Sequence, residues 1–213
     1  MRALVSAGAP VTQSPLVEEA LRKADLLIAA NGGGARLLQL GVTPNLLVGD
    51  LDSLTPGTRD ALVAGGTEFI EYPPAKDKTD THLALEVAFE RGATQVDMLG
   101  LFGGDRLDHA VANSLLLAHA DFRERDIRII DGANEARLCR GWTVVQGKAG
   151  DYLTLIPLTP EVTGIRTKGL RYEVPEGRLM FGDSLGVSNE LIGFEAAVSA
   201  AQGTLLVLHH HRS

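Results

Sequence analysis

Apolar and polar positions follow two different rhythms along this chain. As far as about residue 130, short continuous apolar runs are interleaved with stretches whose apolar residues recur every three or four positions. "RALVSAG" (2–8), "DLLIAAN" (25–31), "NLLVGD" (45–50), "TEFIEYP" (67–73), "TQVDMLG" (94–100) and "DIRIIDG" (126–132) read as buried strands. Between them, "PLVEEALRKA" (15–24), "ARLLQLG" (35–41), "TRDALVAGG" (58–66), "THLALEVAFERG" (81–92) and "DHAVANSLLLAHA" (108–120) read as helices. Strand alternating with helix predicts an α/β domain, a mostly parallel sheet flanked by helices. In such sheets ligands gather at the carboxyl ends of the strands.

Past Cys139 the rhythm shortens. "GWTVVQG" (141–147), "DYLTLIPL" (151–158), "GIRTKGLRYEV" (164–174), "GRLMFG" (177–182) and "GTLLVLHHH" (203–211) are strand-like and separated by glycine, proline or polar turns. No convincing amphipathic helix occurs among them. The pattern predicts an all-β, sandwich-like domain. The boundary is placed within residues 135–142, giving an α/β catalytic domain over 1–138 and a β-sandwich domain over 139–213.

Composition narrows the classes of function. Of the 213 residues, 45% are hydrophobic and 22% charged, as in an ordinary globular protein. No apolar run approaches the roughly 18 residues of a membrane span, and the opening residues do not make a convincing signal peptide. A single cysteine cannot close an intrachain disulfide, so the expected location is the cytoplasm. Net charge −7 argues against general nucleic-acid binding. An anionic substrate remains compatible if metal ions or local lysines and arginines offset the repulsion.

Four polar clusters fall at predicted strand ends. In "VGDLDSL" (48–54), Asp50 and Asp52 are two apart, so in extended backbone they project to one side. Two adjacent carboxylates repel unless a cation lies between them or one is protonated. They are either magnesium ligands or the polar residues of a solvated turn. In "KDKTD" (76–80), Thr79 or Asp80 can cap the following helix. Lys76 and Lys78 could contact phosphate while Asp77 and Asp80 bind metal or orient a lysine; the other reading is a charged surface loop. "GGDRLDHAVAN" (103–113) combines a glycine pair with Arg106, a permanently charged planar fork, and with Asp108 as a candidate cap. His109 and Asn113, four apart, share a helical face there. "NGGGA" (31–35) is a glycine turn between strand and helix that could cradle a nucleotide, although it is neither GxGxxG nor a Walker loop. Four clusters on one sheet edge, without a Ser/His/Asp or Cys/His nucleophile set, point to metal-assisted phosphate chemistry.

In this order, "NGGGARLLQLGVTPNLLVGDLDSL", "KDKTDTHLALEVAF" and "GGDRLDHAVANSLLL" resemble the thiamine pyrophosphokinase family, and "LTLIPL", "GLRYEV" and "VSNEL" resemble its second domain. The resemblance implies transfer of the terminal pyrophosphate of ATP to the hydroxyl of thiamine, with release of AMP. It also implies a homodimer with thiamine sites between subunits. By the same resemblance, Asp50, Asp52 and Asp80 are the Mg2+ ligands and Asp77 is an auxiliary. Lys76, Thr79, Arg106, Asp108 and Asn113 match the nucleotide and phosphate surroundings, to which Asn31, Gly32, Gly33 and His109 are added from the residue reading. Ser188 and Asn189 match a pair near the thiamine pyrimidine.

The chain departs from the family pattern twice. Asn31 stands where "DGGA" has aspartate, keeping an acceptor and adding donors but losing the charge. Asp105 inserts a residue ahead of Arg106, which the loop is expected to absorb. A pyrophosphokinase for another alcohol, such as a hydroxymethylpterin, and a non-catalytic nucleotide- or thiamine-binding regulator are the alternatives. The histidines of "LHHHRS" are read as the solvent end of a last strand, in preference to a weak metal-binding surface or an appended remnant.

Overall fold

The structure is a computed structural model, and residues 1–212 are described. They divide into two compact units, Met1–Gly132 and Ala133 onward. The boundary expected from sequence, 138/139, falls inside the second unit.

The first unit runs β1 (Arg2–Ser6), α1 (Pro15–Lys23), β2 (Leu26–Ala30), α2 (Gly33–Gln39), β3 (Leu46–Gly49), α3 (Pro56–Ala64), β4 (Glu68–Glu71), α4 (Asp80–Glu90), β5 (Gln95–Leu99), α5 (Leu107–Leu115) and β6 (Asp126–Asp131). Its strands lie in the order β6-β5-β1-β2-β3-β4, every pair parallel. Continuous burial along β1, β3 and β5 is what a sheet covered on both faces requires. The edge strand β4 instead carries Glu68 and Glu71 outward, which discourages further pairing. Leu4, Leu37, Leu47, Leu62, Leu99 and Ile130 are at most 1% exposed at the centre of this core. Each contributes about 1.5–3 kcal/mol by leaving water.

Helix starts follow local chemistry. Ser14 and Thr55 cap α1 and α3 through side-chain oxygens, each followed by proline at the first helical position. Strand order reverses at β1, whose neighbours are β2 on one side and β5 on the other. The loops leaving β1 and β5 therefore diverge, and a crevice opens between them.

The second unit contains β7 (Asn134–Leu138), β8 (Thr143–Gln146), β9 (Tyr152–Pro157), β10 (Glu161–Thr163), β11 (Arg166–Lys168), β12 (Arg178–Met180), β13 (Asn189–Glu190), β14 (Glu195–Ser199) and β15 (Leu205–His210). They form two antiparallel groups, β13-β9-β15-β7 and β11-β14-β8, and a separate β10-β12 pair. Among its described residues no α-helix forms. Burial alternates along β9 and β15, so each has one face on the core and one outside. Leu153, Leu155, Val162, Leu179 and Val198 are at most 1% exposed there.

Strands β7, β10 and β13 were not among those expected from the sequence, and two further details differ. "GIRTKGLRYEV" is not one strand, because Gly169 takes φ +73° and ends β11. A side chain at Gly169 would meet the Glu195 carbonyl oxygen at 2.2 Å. Strand β14, "EAAVS", was not expected, since its small alanines blur the alternation that its burial pattern shows.

Candidate active site

The crevice at the β1/β5 switch holds about 400 Å³. It is lined by the loop Ala7–Pro10 after β1, Asn31 and Gly32 after β2, Ser53 after β3, Thr79 and Asp80 at the start of α4, and Gly103–Arg106 after β5. His109 and Asn113 reach it from one face of α5, as their spacing predicts.

Asp50 and Asp52 do meet, but not by strand alternation. Between them Leu51 takes the left-handed conformation, φ +64°. That costs a branched residue about 1–2 kcal/mol. Leu51 is 9% exposed and packs into the core of the first unit, where its burial offsets the strain. The aspartates on either side are left facing Asn31. Asn31 Nδ2 donates to Asp50 Oδ1 at 2.8 Å and to Asp52 Oδ1 at 3.1 Å, while Asn31 Oδ1 accepts from Ser53 Oγ at 2.7 Å. The amide therefore does part of the work of a counter-ion between the carboxylates.

Lys76 does the rest. Its Nζ lies 3.2 Å from Asp50 Oδ2 and 3.0 Å from Asp80 Oδ1. Asp80 Oδ1 is buried, with the Lys76 ammonium beside it as its charged partner. Burial pushes the Asp50 carboxyl up, but the hydrogen bonds at Asp52 and from Lys76 outweigh it, and the result lies below the ordinary value. Burial likewise opposes the charge on Lys76, while Asp80 and Asp50 hold its pKa above normal. Gly49 makes the approach feasible, because a Cβ there would stand 3.0 Å from Asn31 Cβ and 3.2 Å from Asp80 Cγ.

Lys76 is shared by Asp50 and Asp80, and Asp52 is held by the Asn31 amide, so one ammonium stands against three carboxylates. Such an all-oxygen set, left with excess negative charge, fits a hard divalent cation such as Mg2+.

Thr79 caps α4, its Oγ1 accepting from His82 N at 3.2 Å and donating to Asn113 Oδ1 at 2.9 Å. Buried Asn113 is thereby tied to the start of α4. Asp108 is not a helix cap. Arg106 occupies the cap position of α5 without a side-chain cap bond, and Asp108 lies inside the first turn. The pair bonds at 3.0 and 2.6 Å, and this contact lowers the Asp108 pKa to about 2. The extra Asp105 does not take Arg106 out of the crevice.

The glycine turn divides its duties. Gly32 faces the crevice, but a Cβ on Gly33 would fall 1.9 Å from the Ser6 carbonyl oxygen, so Gly33 serves close packing of helix on strand. Asp77 is exposed and does not line the crevice. Sequence reasoning missed Arg36, which lines it and donates from Nε to the Gly8 carbonyl at 2.9 Å. It also missed the Ala7–Pro10 loop. The available signals were the first cation after the glycine turn and the small residues that end β1.

In the second unit, Ser188 and Asn189 border a hollow of about 300 Å³ with Leu155, Tyr172, Val174, Leu185 and Val187. Asn189 pins the Tyr172 segment, its Oδ1 accepting from Tyr172 N at 3.0 Å and its Nδ2 donating to Tyr172 O at 2.7 Å. Ser188 holds φ +60°, and its N–H donates to Thr154 Oγ1 at 3.0 Å.

The thiamin pyrophosphokinase catalytic-domain model matches residues 17–130, more than half of the chain, and the thiamin pyrophosphokinase vitamin B1 binding-domain model matches residues 143–205. The chain belongs to the thiamin pyrophosphokinase family. Thiamine pyrophosphokinase from Bacillus subtilis (strain 168) is 28% identical over 206 residues, 96% of either chain. A crystal structure of the Bacillus subtilis thiamine pyrophosphokinase superimposes with a TM-score of 0.86 at 26% identity, covering 100% of both chains. A thiamin pyrophosphokinase family protein from Enterococcus faecalis gives 0.82 at 30% identity, again over 100% of both. The α/β unit followed by an antiparallel β unit is the architecture of this family, and the chemistry is that of a thiamine diphosphokinase.

Proposed function

We propose that the chain transfers the terminal pyrophosphate of ATP to the hydroxyl of thiamine, giving thiamine diphosphate and AMP, with Asp50, Asp52 and Asp80 holding Mg2+. The observation that carries this reading is the gathering of those carboxylates, from the end of β3 and the start of α4, around the Lys76 ammonium and the Asn31 amide beside the switch-point crevice. The ammonium pairs with Asp50 and Asp80, and the amide joins Asp50 to Asp52. Magnesium held there would offset the charge of the phosphates. Asn31 and Ser53 fix the orientation of Asp50 and Asp52. Lys76 and Arg106 add positive charge as the leaving AMP oxygen gains negative charge. Gly32, Thr79, His109 and Asn113 shape the nucleotide side of the crevice, while Gly33 sets the helix against the strand behind it and Asp108 holds Arg106. Of the two candidate bases for the hydroxyl proton, Asp80, which lines the crevice, is preferred to Asp77, which does not.

Ser188 and Asn189 are assigned to thiamine. The support is the largely apolar hollow they border, which suits a flat heteroaromatic ring placed by a few polar groups. The working form is proposed to be a homodimer. In its favour, the second unit exposes Phe181, Ile192 and Phe194 to 67%, 63% and 81%, more large apolar surface than a free monomer usually shows. Among the described residues no helix is long and apolar enough to cross a membrane. A cytoplasmic location rests on the lone cysteine.

The deciding experiment incubates the protein with ATP, Mg2+ and thiamine and separates the products. AMP and thiamine diphosphate in equal amounts are expected. AMP formed only with a hydroxymethylpterin, or thiamine bound without product, would overturn the assignment.

A further inference from the structure

We propose that Glu135, His209 and His211 form a second metal site, in the β unit, for a borderline-soft divalent ion such as Zn2+. The residues come from two hydrogen-bonded strands. Glu135 of β7 stands opposite His209 of β15, and His211 follows two positions later. One ligand atom from each of the three lies within 4.8 Å of the others.

The His209–Glu135 contact is a long hydrogen bond, and the separations also match those between ligands of a single ion. His209 Nδ1 is 3.3 Å and His211 Nε2 is 3.5 Å from the same oxygen, Glu135 Oε1. Charge-assisted hydrogen bonds of this type are normally about 2.7–2.9 Å. A tetrahedral zinc centre with bonds of about 2.0–2.1 Å places neighbouring ligand atoms about 3.3–3.4 Å apart. His211 Nε2 is moreover a buried nitrogen without a hydrogen-bond partner, although it belongs to a side chain only 29% exposed. Two imidazoles and one carboxylate select zinc-like ions over magnesium.

The surroundings are those of a held ligand. The other nitrogen of His209, Nε2, lies 3.3 Å from Asp151 Oδ2, and a ring that binds metal through one nitrogen commonly donates from the other to a carboxylate. Asp151, 1% exposed, is itself fixed by the backbone N–H groups of Lys148 and Arg212 at 2.9 and 3.0 Å. Arg137 engages Glu135 Oε2 at 3.1 Å, and Oε1 is the oxygen near both histidines. Gly147 leaves room for the pair, since a Cβ there would come within 2.7 Å of Asp151 Oδ2 and 2.9 Å of His209 Nε2. The fourth position is left for water, and the ion would tie the end of the last strand to β7.

The test uses the full chain stripped with a chelator and titrated with Co2+, excess Mg2+ being present throughout to occupy the carboxylates of the first unit. One equivalent per chain is expected to produce the intense visible absorption of tetrahedral cobalt, to be displaced by Zn2+ and to raise the melting temperature. His211→Ala and Glu135→Gln should each abolish the band. Asp151→Asn should weaken binding about 10–100-fold, as the loss of an orienting carboxylate does. His210→Ala, which alters the same histidine run outside the cluster, should keep the band. Absence of the band in the parent chain would overturn the proposal. So would a band that persists in a folded His211→Ala or Glu135→Gln protein, since the cobalt would then be held adventitiously by the histidine run.

Discussion

Asn31 Nδ2 lies 2.8 Å from Asp50 Oδ1, and the same nitrogen reaches Asp52. An uncharged residue thus holds together two anions that would otherwise repel. Changing Asn31→Asp removes both donors and adds a further carboxylate to the cluster. In the presence of a chelator the variant should lose about 1–3 kcal/mol, which lowers the melting temperature by roughly 2–10 °C for a chain of this size. Millimolar Mg2+ should restore most of the loss. Scanning calorimetry with and without Mg2+ checks this, and equal melting temperatures under both conditions would count against a shared cation site.

Asp52→Ala should abolish turnover, by at least about a thousandfold if several kcal/mol of charge stabilisation are lost. Asp52 is exposed, so the fold should stay intact. AMP release in the presence of thiamine gives the rate, and circular dichroism confirms folding. A near-normal rate with Mg2+ present would remove Asp52 from the metal site.

The depressed pKa of Asp50 makes a pH prediction. A carboxylate whose folded pKa lies below its unfolded value adds stability that is fully present above the unfolded pKa, about 4. That stability disappears as pH falls through the lower, folded value. The difference in melting temperature between the parent and Asp50→Asn should therefore be constant above about pH 5 and shrink below about pH 4. Thermal melts across that range decide the matter, and a gap that widens on acidification would reverse the sign.

Thr79→Ala deletes the α4 cap and the donor to Asn113. A loss of about 1 kcal/mol is expected, or roughly 2–4 °C in melting temperature. Thr79→Ser should recover it, because the hydroxyl is what both contacts use. If serine fails, the methyl group and its packing matter more than the cap.

Asn189→Ala frees the Tyr172 backbone beside the hollow of the second unit. With thiamine bound there, KM for thiamine should rise about tenfold while kcat changes little, the signature of lost uniform binding. A fall in kcat at constant KM would move Asn189 away from substrate binding.

Much of the first unit was legible in the chain, because parallel strands buried on both faces leave continuous apolar runs and their helices leave periodic ones. The four polar clusters were legible for the same reason, since strand order fixes which ends share an edge. The route by which Asp50 and Asp52 converge was not. Alternation in a strand predicted it, whereas Leu51 achieves it by a left-handed turn secured by burial. Arg36 was missed because a lone cation on a short helix carries no spacing signal. Gly33 could not be told from Gly32 by composition, although one packs and the other faces the crevice. The histidine run misled in the other direction. His209, expected at a solvent-facing strand end, is 2% exposed, because strand alternation turns it inward onto Asp151.

Lys76, resting between Asp50 and Asp80, gives substrate loading the character of an ion exchange. A bare divalent ion would have to displace the ammonium from two carboxylates and leave it the Pro73 carbonyl, 3.4 Å from Nζ, in their place. A polyphosphate arriving with its own metal supplies the carboxylates with a replacement cation and the displaced lysine with an anion. On the proposed magnesium reading, a metal-bearing nucleotide would therefore load more readily than free metal, which would have to be supplied in excess.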